Sequence, residues 1–138
     1  MPLIVNQPGR VPARQISNLV YFPDFMPTLA RLAGSSHAVP TDNNGMDISP
    51  LFYGSDIDTD SRDLYWEFPG KQRAIRHGGW KCVTVKKDAP LELYRIKDDP
   101  CEQHDVAAEH PEVVRELDRL MRQMRRPSVN YPIPEDNK

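Results

Sequence analysis

The groups with which this chain could do chemistry are two thiols, four imidazoles and 20 carboxylates, and their spacing limits what they can do. Cys82 and Cys101 sit in no Cys-x-x-Cys motif and have no histidine pair nearby, so they suggest neither a zinc site nor a disulfide framework. They read as free thiols, Cys82 in a strand and Cys101 in a turn. His37, His77, His104 and His110 fall in a loop, a strand end, a turn and a helix entrance, and none reads as the base of a nucleophile. Asp47, Asp56, Asp58 and Asp60 lack the glycine and terminal glutamate of a calcium-binding EF-hand loop, so they read as turn residues. The densest set of basic and aromatic groups is Arg76, His77, Trp80 and Lys81 around Gly78-Gly79. The bland account makes Trp80 a core anchor and leaves the basic groups solvated or paired.

The elements that must position these groups differ between the two halves. Half of the 14 prolines fall within the first 50 residues and break every apolar run there. Leu3-Ile4-Val5, ended by Asn6-Gln7-Pro8-Gly9, reads as a strand buried on both faces, as in a parallel sheet, with no partner in this chain. A helix is expected from about Asp24 to Ala33, with Asp24 as its cap, Pro27 in its first turn, Gly34 as its stop, and Phe25, Leu29 and Leu32 on one face. Residues 35–62 read as a long surface connection with an apolar island at Ile48–Tyr53.

Strand signals follow. Leu64, Trp66 and Phe68 alternate with Tyr65 and Glu67, Pro69-Gly70 turns into Arg73–His77, and Gly78-Gly79 turns into Trp80–Val85. Leu91–Ile96 is the fourth candidate strand. Pro111 opens a helix in which Val113, Val114, Leu117, Leu120, Met121 and Met124 share a face until Pro127, and this helix is expected to cover the sheet, including both the Leu64-Trp66-Phe68 and the Trp80-Cys82 faces. Arg115, Arg119, Arg122 and Arg126 are interleaved with Glu112, Glu116 and Asp118, the pattern of an ordinary solvated helix face. Asp105 is expected to cap a turn at Val106–Ala108, and Glu102 to reach nearby backbone N–H groups.

Composition narrows the function classes. A net charge of −2 over 138 residues does not suit a general nucleic-acid or anionic-membrane binder. No run approaches 18 apolar residues, and the opening MPLIVNQPGR lacks the basic and apolar segments of a signal peptide. Leu, Ile, Val and Phe make up about 22% of the chain, just above the level typical of disorder, so the core is expected to be thin.

Read in order, several segments resemble the carboxy-terminal part of the formylglycine-dependent sulfatases of the alkaline-phosphatase-like superfamily. PLIVNQPGRVPA is similar to that family's strand and loop, DFMPTLARLAG to its Asp-x-x-Pro-Thr helix, and GMDISPLFYG to the connection after it. RAIRHGGWKCV and LELYRIKDDPCEQHDVAAEHPEVV continue the likeness through the sheet and into the last helix. The Cys/Ser-x-Pro/Ala-x-Arg signature that yields formylglycine is absent. Cys82 is followed by Val83-Thr84-Val85 and Cys101 by Glu102-Gln103-His104.

The resemblance implies an α+β chain, with a four-stranded antiparallel sheet covered by a carboxy-terminal helix and preceded by a strand and helix left over from an α/β alkaline-phosphatase-like domain. Residues 1–62 would end the catalytic domain, 63–126 would form the carboxy-terminal subdomain, and 127–138 an irregular tail. It implies a longer, exported protein that hydrolyses sulfate esters with formylglycine and calcium, both outside this chain, which alone would be inactive. The partners implied are that catalytic domain and, through its cleft, a sulfated substrate, with no nucleic acid and no membrane; the apolar amino-terminal strand would allow self-association. The family's histidine after the Trp-Glu pair is Phe68 here, so the substrate-side candidates are Lys71, Arg76 and His77. Two other readings stay open: a stand-alone protein- or glycan-binding module, and a phosphoester or phosphonate hydrolase of the same superfamily.

Overall fold

The computed structural model describes residues 3–68, 72–86 and 89–127. The chain divides into two compact units, Met1–Thr59 and Asp60–Lys138. The expected turn at Pro69-Gly70 and the tail from Ser128 lie outside the described residues.

In the first unit, α1 (Phe25–Leu32) ends as its sequence demands. Gly34 takes φ +71°, and the N–H groups of Gly34 and Ser35 donate to the carbonyls of Arg31 and Ala30, satisfying two otherwise unpaired helix-end acceptors. The start of the helix departs from expectation. Asp24 makes no side-chain cap to α1. Its fully buried carboxylate instead accepts from Tyr21 N (2.6 Å) and from Met46 N (3.0 Å), 22 residues further on. Thr28, also fully buried, accepts from Ile48 N at 3.0 Å. Two polar side chains one helical turn apart thereby bind the segment that leads into the short helix α2 (Ser49–Phe52).

Burial in the unit departs from expectation. Ile48 and Leu51, expected on a surface connection, are buried, whereas Leu29 and Leu32 on the apolar face of α1 are exposed. Arg14 fastens the end of α2, donating to the carbonyls of Leu51 (2.6 Å) and Gly54 (3.3 Å), where a cation complements the helix terminus. The strand expected at Leu3–Val5 is not formed. Among the described residues no ladder includes it, and a lone extended segment has no partner for its N–H and C=O groups.

The second unit is an antiparallel meander of β1 (Leu64–Phe68), β2 (Gln72–His77), β3 (Trp80–Thr84) and β4 (Glu92–Arg95), with α3 (Pro111–Met124) lying across β2 and β3. Pairing places Tyr65, Ile75, Cys82 and Leu93 in one row. Ile75, Cys82 and Leu93 form the core with Leu117 and Met121 of α3, and Tyr65, Trp80, Val113, Leu120 and Met124 pack against it. Because side chains alternate across a strand, Leu64, Trp66 and Phe68 lie on the opposite face. The helix therefore does not cover both sets as expected, and Phe68 is 64% exposed.

Polar contacts lock this arrangement. Arg125, just past α3, donates to Glu67 (3.1 Å), which also accepts from the Tyr65 hydroxyl (2.9 Å). Asp105 accepts from both Ala107 N and Leu93 N at 2.9 Å, so it caps the expected turn and also ties that turn to β4. Asp99 accepts from Gln103 N (2.7 Å) and His104 N (2.8 Å), and these two donors hold its carboxyl below the usual range. Glu102 adopts φ +54° and pairs with Lys81 at 2.5 Å rather than with backbone N–H groups. On α3, Asp118 pairs with Arg122 as expected, while Arg119 donates to Gln123.

Candidate substrate-facing site

The Gly78-Gly79 turn lets β2 reverse into β3, with Gly78 at φ +56°, a backbone conformation that suits glycine. The turn brings His77 opposite Trp80, and Trp80 opposite Arg95. Trp80 is half-buried. The Arg95 guanidinium lies 5.5 Å from its ring centre and the His110 ring packs edge-on at 5.0 Å. Both contacts, with the adjoining core, fit the anchor role expected of this tryptophan.

His77 is held differently. Its Nδ1 lies 2.5 Å from Asp63 Oδ1, with the imidazole 43% and the carboxylate 29% exposed. An ionised carboxylate can only accept, so Nδ1 carries the proton and Nε2 is left to accept in the neutral ring or to donate in the imidazolium. Sequence reasoning missed Asp63. The signal was present in the register: Leu64 opposite Arg76 places residue 63 opposite residue 77.

Of the expected substrate-side residues, the two described ones, Arg76 and His77, do not converge. Arg76 and His77 are consecutive on β2, so their side chains leave opposite faces of the sheet. Arg76 shares its face with Leu64, Lys81 and Tyr94, and its buried Nε has no hydrogen-bond partner among the described residues. Lys71 lies outside the described residues. Gln72, next to it in sequence, pairs with Phe68 at the end of β2 away from His77.

Among the described residues the thiols and carboxylates lie apart. Cys82 is fully buried under α3, and burial, followed by the charges of Asp118 and Asp105, pushes its thiol up to about 12. Cys101 is exposed in its turn. Among the described residues no three histidines, cysteines or carboxylates come together as a metal-binding group. What the geometry does offer is an oriented imidazole able to hydrogen-bond an anion or a hydroxyl.

Comparison with known proteins gives this arrangement a context. The family model of the carboxy-terminal domain of N-sulphoglucosamine sulphohydrolase matches residues 1–127. Arylsulfatase K of Gallus gallus is 30% identical over 147 residues, covering 96% of this chain and 26% of the relative. A sulfatase of Formosa agariphila is 31% identical over 128 residues, covering 80% and 23% respectively. Among solved structures, a 2-O GAG sulfatase is similar with a TM-score of 0.56 and 25% identity, over 72% of this chain and 23% of that one. The chain thus spans about a quarter of the length of these relatives. With its four-stranded sheet under a carboxy-terminal helix and a match running through residue 127, the chain belongs to the sulfatases, as a carboxy-terminal domain of the N-sulphoglucosamine sulphohydrolase type.

Proposed function

We propose that this chain is the carboxy-terminal segment of an exported sulfatase that hydrolyses sulfate esters on a sulfated glycan, and that its residues 1–62 belong to the catalytic α/β domain. The observation that carries the reading is the family match along 127 residues, combined with similarity to a 2-O GAG sulfatase. The formylglycine nucleophile and the calcium of such an enzyme do not fit the residues here, since Cys82 is buried, Cys101 stands outside the required signature, and the described carboxylates do not cluster.

This chain's part in the reaction is then to bind and orient. His77, set by Asp63, would present Nε2 to a sulfate oxygen or sugar hydroxyl, gaining a charge-assisted hydrogen bond when the ring is protonated. Arg76 and Lys71 are further contact candidates, each on its own, because Arg76 leaves the sheet on the other face from His77. The test is sulfatase turnover with a sulfated disaccharide by the full-length protein carrying this chain. Loss of one such hydrogen bond corresponds to about 10-fold or more, so His77→Ala should lower kcat/KM by at least that factor, mainly through KM. An unchanged kcat/KM would remove His77 from the substrate side, and turnover by the 138-residue chain alone would overturn the segment reading.

A further inference from the structure

The run Asn43-Asn44-Gly45 holds a reactive pair that the candidate site does not use. Asn44 is the only asparagine of the chain followed by glycine, and it is exposed. Such a pair is chemically labile, because glycine has no Cβ to hinder its own backbone nitrogen as that nitrogen approaches the amide carbon of the preceding side chain. Packing fixes the glycine: a Cβ at residue 45 would lie 2.1 Å from the Pro23 carbonyl oxygen. The fold therefore keeps the one residue that makes Asn44 reactive.

The closed unit restrains the nucleophile. Gly45 N donates to Asn43 Oδ1 at 2.7 Å, so the proton it must lose is already engaged. Beyond it, Met46 N donates to the buried Asp24 carboxylate and Ile48 N to the buried Thr28 hydroxyl, each at 3.0 Å. The engaged proton and the tied backbone both oppose ring closure between Gly45 N and the Asn44 side chain. Reaction then proceeds from locally opened molecules, and its rate follows their population where opening and closing are fast beside the chemistry.

We infer that Asn44 is a modification site gated by this clamp, and that its product keeps the clamp open. Gly45 N, having given its proton to solvent base, attacks Cγ of Asn44. A C–N bond forms, the bond from Cγ to Nδ2 breaks, and the departing nitrogen takes up a proton and leaves as ammonia. No electrons are gained or lost. Water then opens the resulting five-membered imide: cleavage at Cγ gives aspartate, and cleavage at the backbone carbonyl gives isoaspartate, whose main chain runs through Cβ and Cγ. That route adds one carbon, about 1.5 Å, to the main chain. The excess falls directly before Gly45, which has no room beside Pro23, and one residue from the Met46 donor, so the contacts of residues 45–48 cannot re-form together. Opening lets residue 44 convert, and isoaspartate prevents closure.

The test is prolonged incubation of the 138-residue chain at neutral and mildly alkaline pH. Isoaspartate at residue 44 is read by peptide mass spectrometry and by enzymatic methylation of its carboxylate, and the unit by hydrogen exchange of peptides covering residues 21–53. Conversion should be about 100-fold slower in the folded chain than in denaturant, the factor expected when opening releases the donors to Asp24 and Asn43. Thr28→Val removes the acceptor of Ile48 N without touching Asn44 or Gly45, and should speed conversion by about 5-fold or more. Should that variant leave the first unit unfolded, its rate should equal the rate in denaturant. Isoaspartate-bearing molecules should exchange residues 21–53 about 10-fold faster or more than unmodified ones. Asn44→Ala should form no isoaspartate and keep its slow exchange throughout the incubation. Equal rates in the folded chain and in denaturant, or a Thr28→Val rate equal to that of the parent, would overturn the gating. Slow exchange in modified molecules, loosening of Asn44→Ala on the parent's schedule, or aspartate as the sole product would overturn the role of isoaspartate.

Discussion

Replacing Gly45 by alanine would put a Cβ 2.1 Å from the Pro23 carbonyl oxygen and 2.5 Å from its carbon, both backbone atoms that cannot swing aside. Asn43 Oδ1, which accepts from Gly45 N at 2.7 Å, would lie 2.9 Å from the new methyl, so the strand of chain has no free direction in which to give. The segment must move by about 1 Å or more to restore a normal contact. Met46 N, its neighbour, donates to the buried Asp24, and Ile48 N donates to Thr28. A hydrogen bond to a charged group is worth about 1.5–3 kcal/mol and one to a hydroxyl about 1, so losing both gives about 2.5–4 kcal/mol before any strain is counted. A unit of this size is stable by roughly 3–9 kcal/mol. The first unit should therefore open much of the time. Both tryptophans of the chain lie in the second unit, which serves as an internal control, and hydrogen exchange of peptides covering residues 21–53 reads the first. Gly45→Ala should raise exchange there by about 50-fold or more and leave the tryptophan-monitored midpoint in place. Gly34→Ala is the matched comparison: its Cβ meets nothing within 4 Å, so only the φ of +71° is penalised, at about 1–2 kcal/mol. Equal effects of the two substitutions, or none from Gly45→Ala, would refute the steric clamp.

In the second unit, Leu117→Ala removes a side chain that is 1% exposed between α3 and the Ile75-Cys82-Leu93 row, and should cost about 2–5 kcal/mol; denaturant unfolding followed by tryptophan fluorescence checks it, and a change under about 1 kcal/mol would put the helix elsewhere. A thiol reagent at neutral pH should label Cys101 at once and Cys82 only on unfolding. The Cys82 thiol is raised in the fold, so its contribution to stability is complete below about 9, the ordinary thiol value, and is lost as pH rises toward about 12, a decline that Cys82→Ala should flatten.

How much could be read without coordinates depended on whether a partner was local. The strands and α3 were legible because alternation, the Gly78-Gly79 turn and the Pro111 start act over a few residues, and each element was placed within a few residues of where it lies. The Asp105 cap was legible for the same reason, but its second partner, Leu93 N, belongs to another element and was not. Asp24 shows the limit most clearly. An aspartate ahead of a helix, with proline in the first turn, has every local mark of an N-cap, yet its carboxylate accepts from Tyr21 N and from Met46 N, a donor that lies 22 residues away in sequence. Leu29 and Leu32 stay exposed beside that polar clamp, because within this unit the 46–48 segment packs on Asp24 and Thr28 and not on them. The pair at the candidate site is the converse case. Asp63 and His77 are 14 residues apart, but the register that joins them follows from the same pairing that sets β1 against β2. Within a hairpin, long-range partners can be counted off; across the Asp24 clamp they cannot, because no ladder relates residue 24 to residue 46.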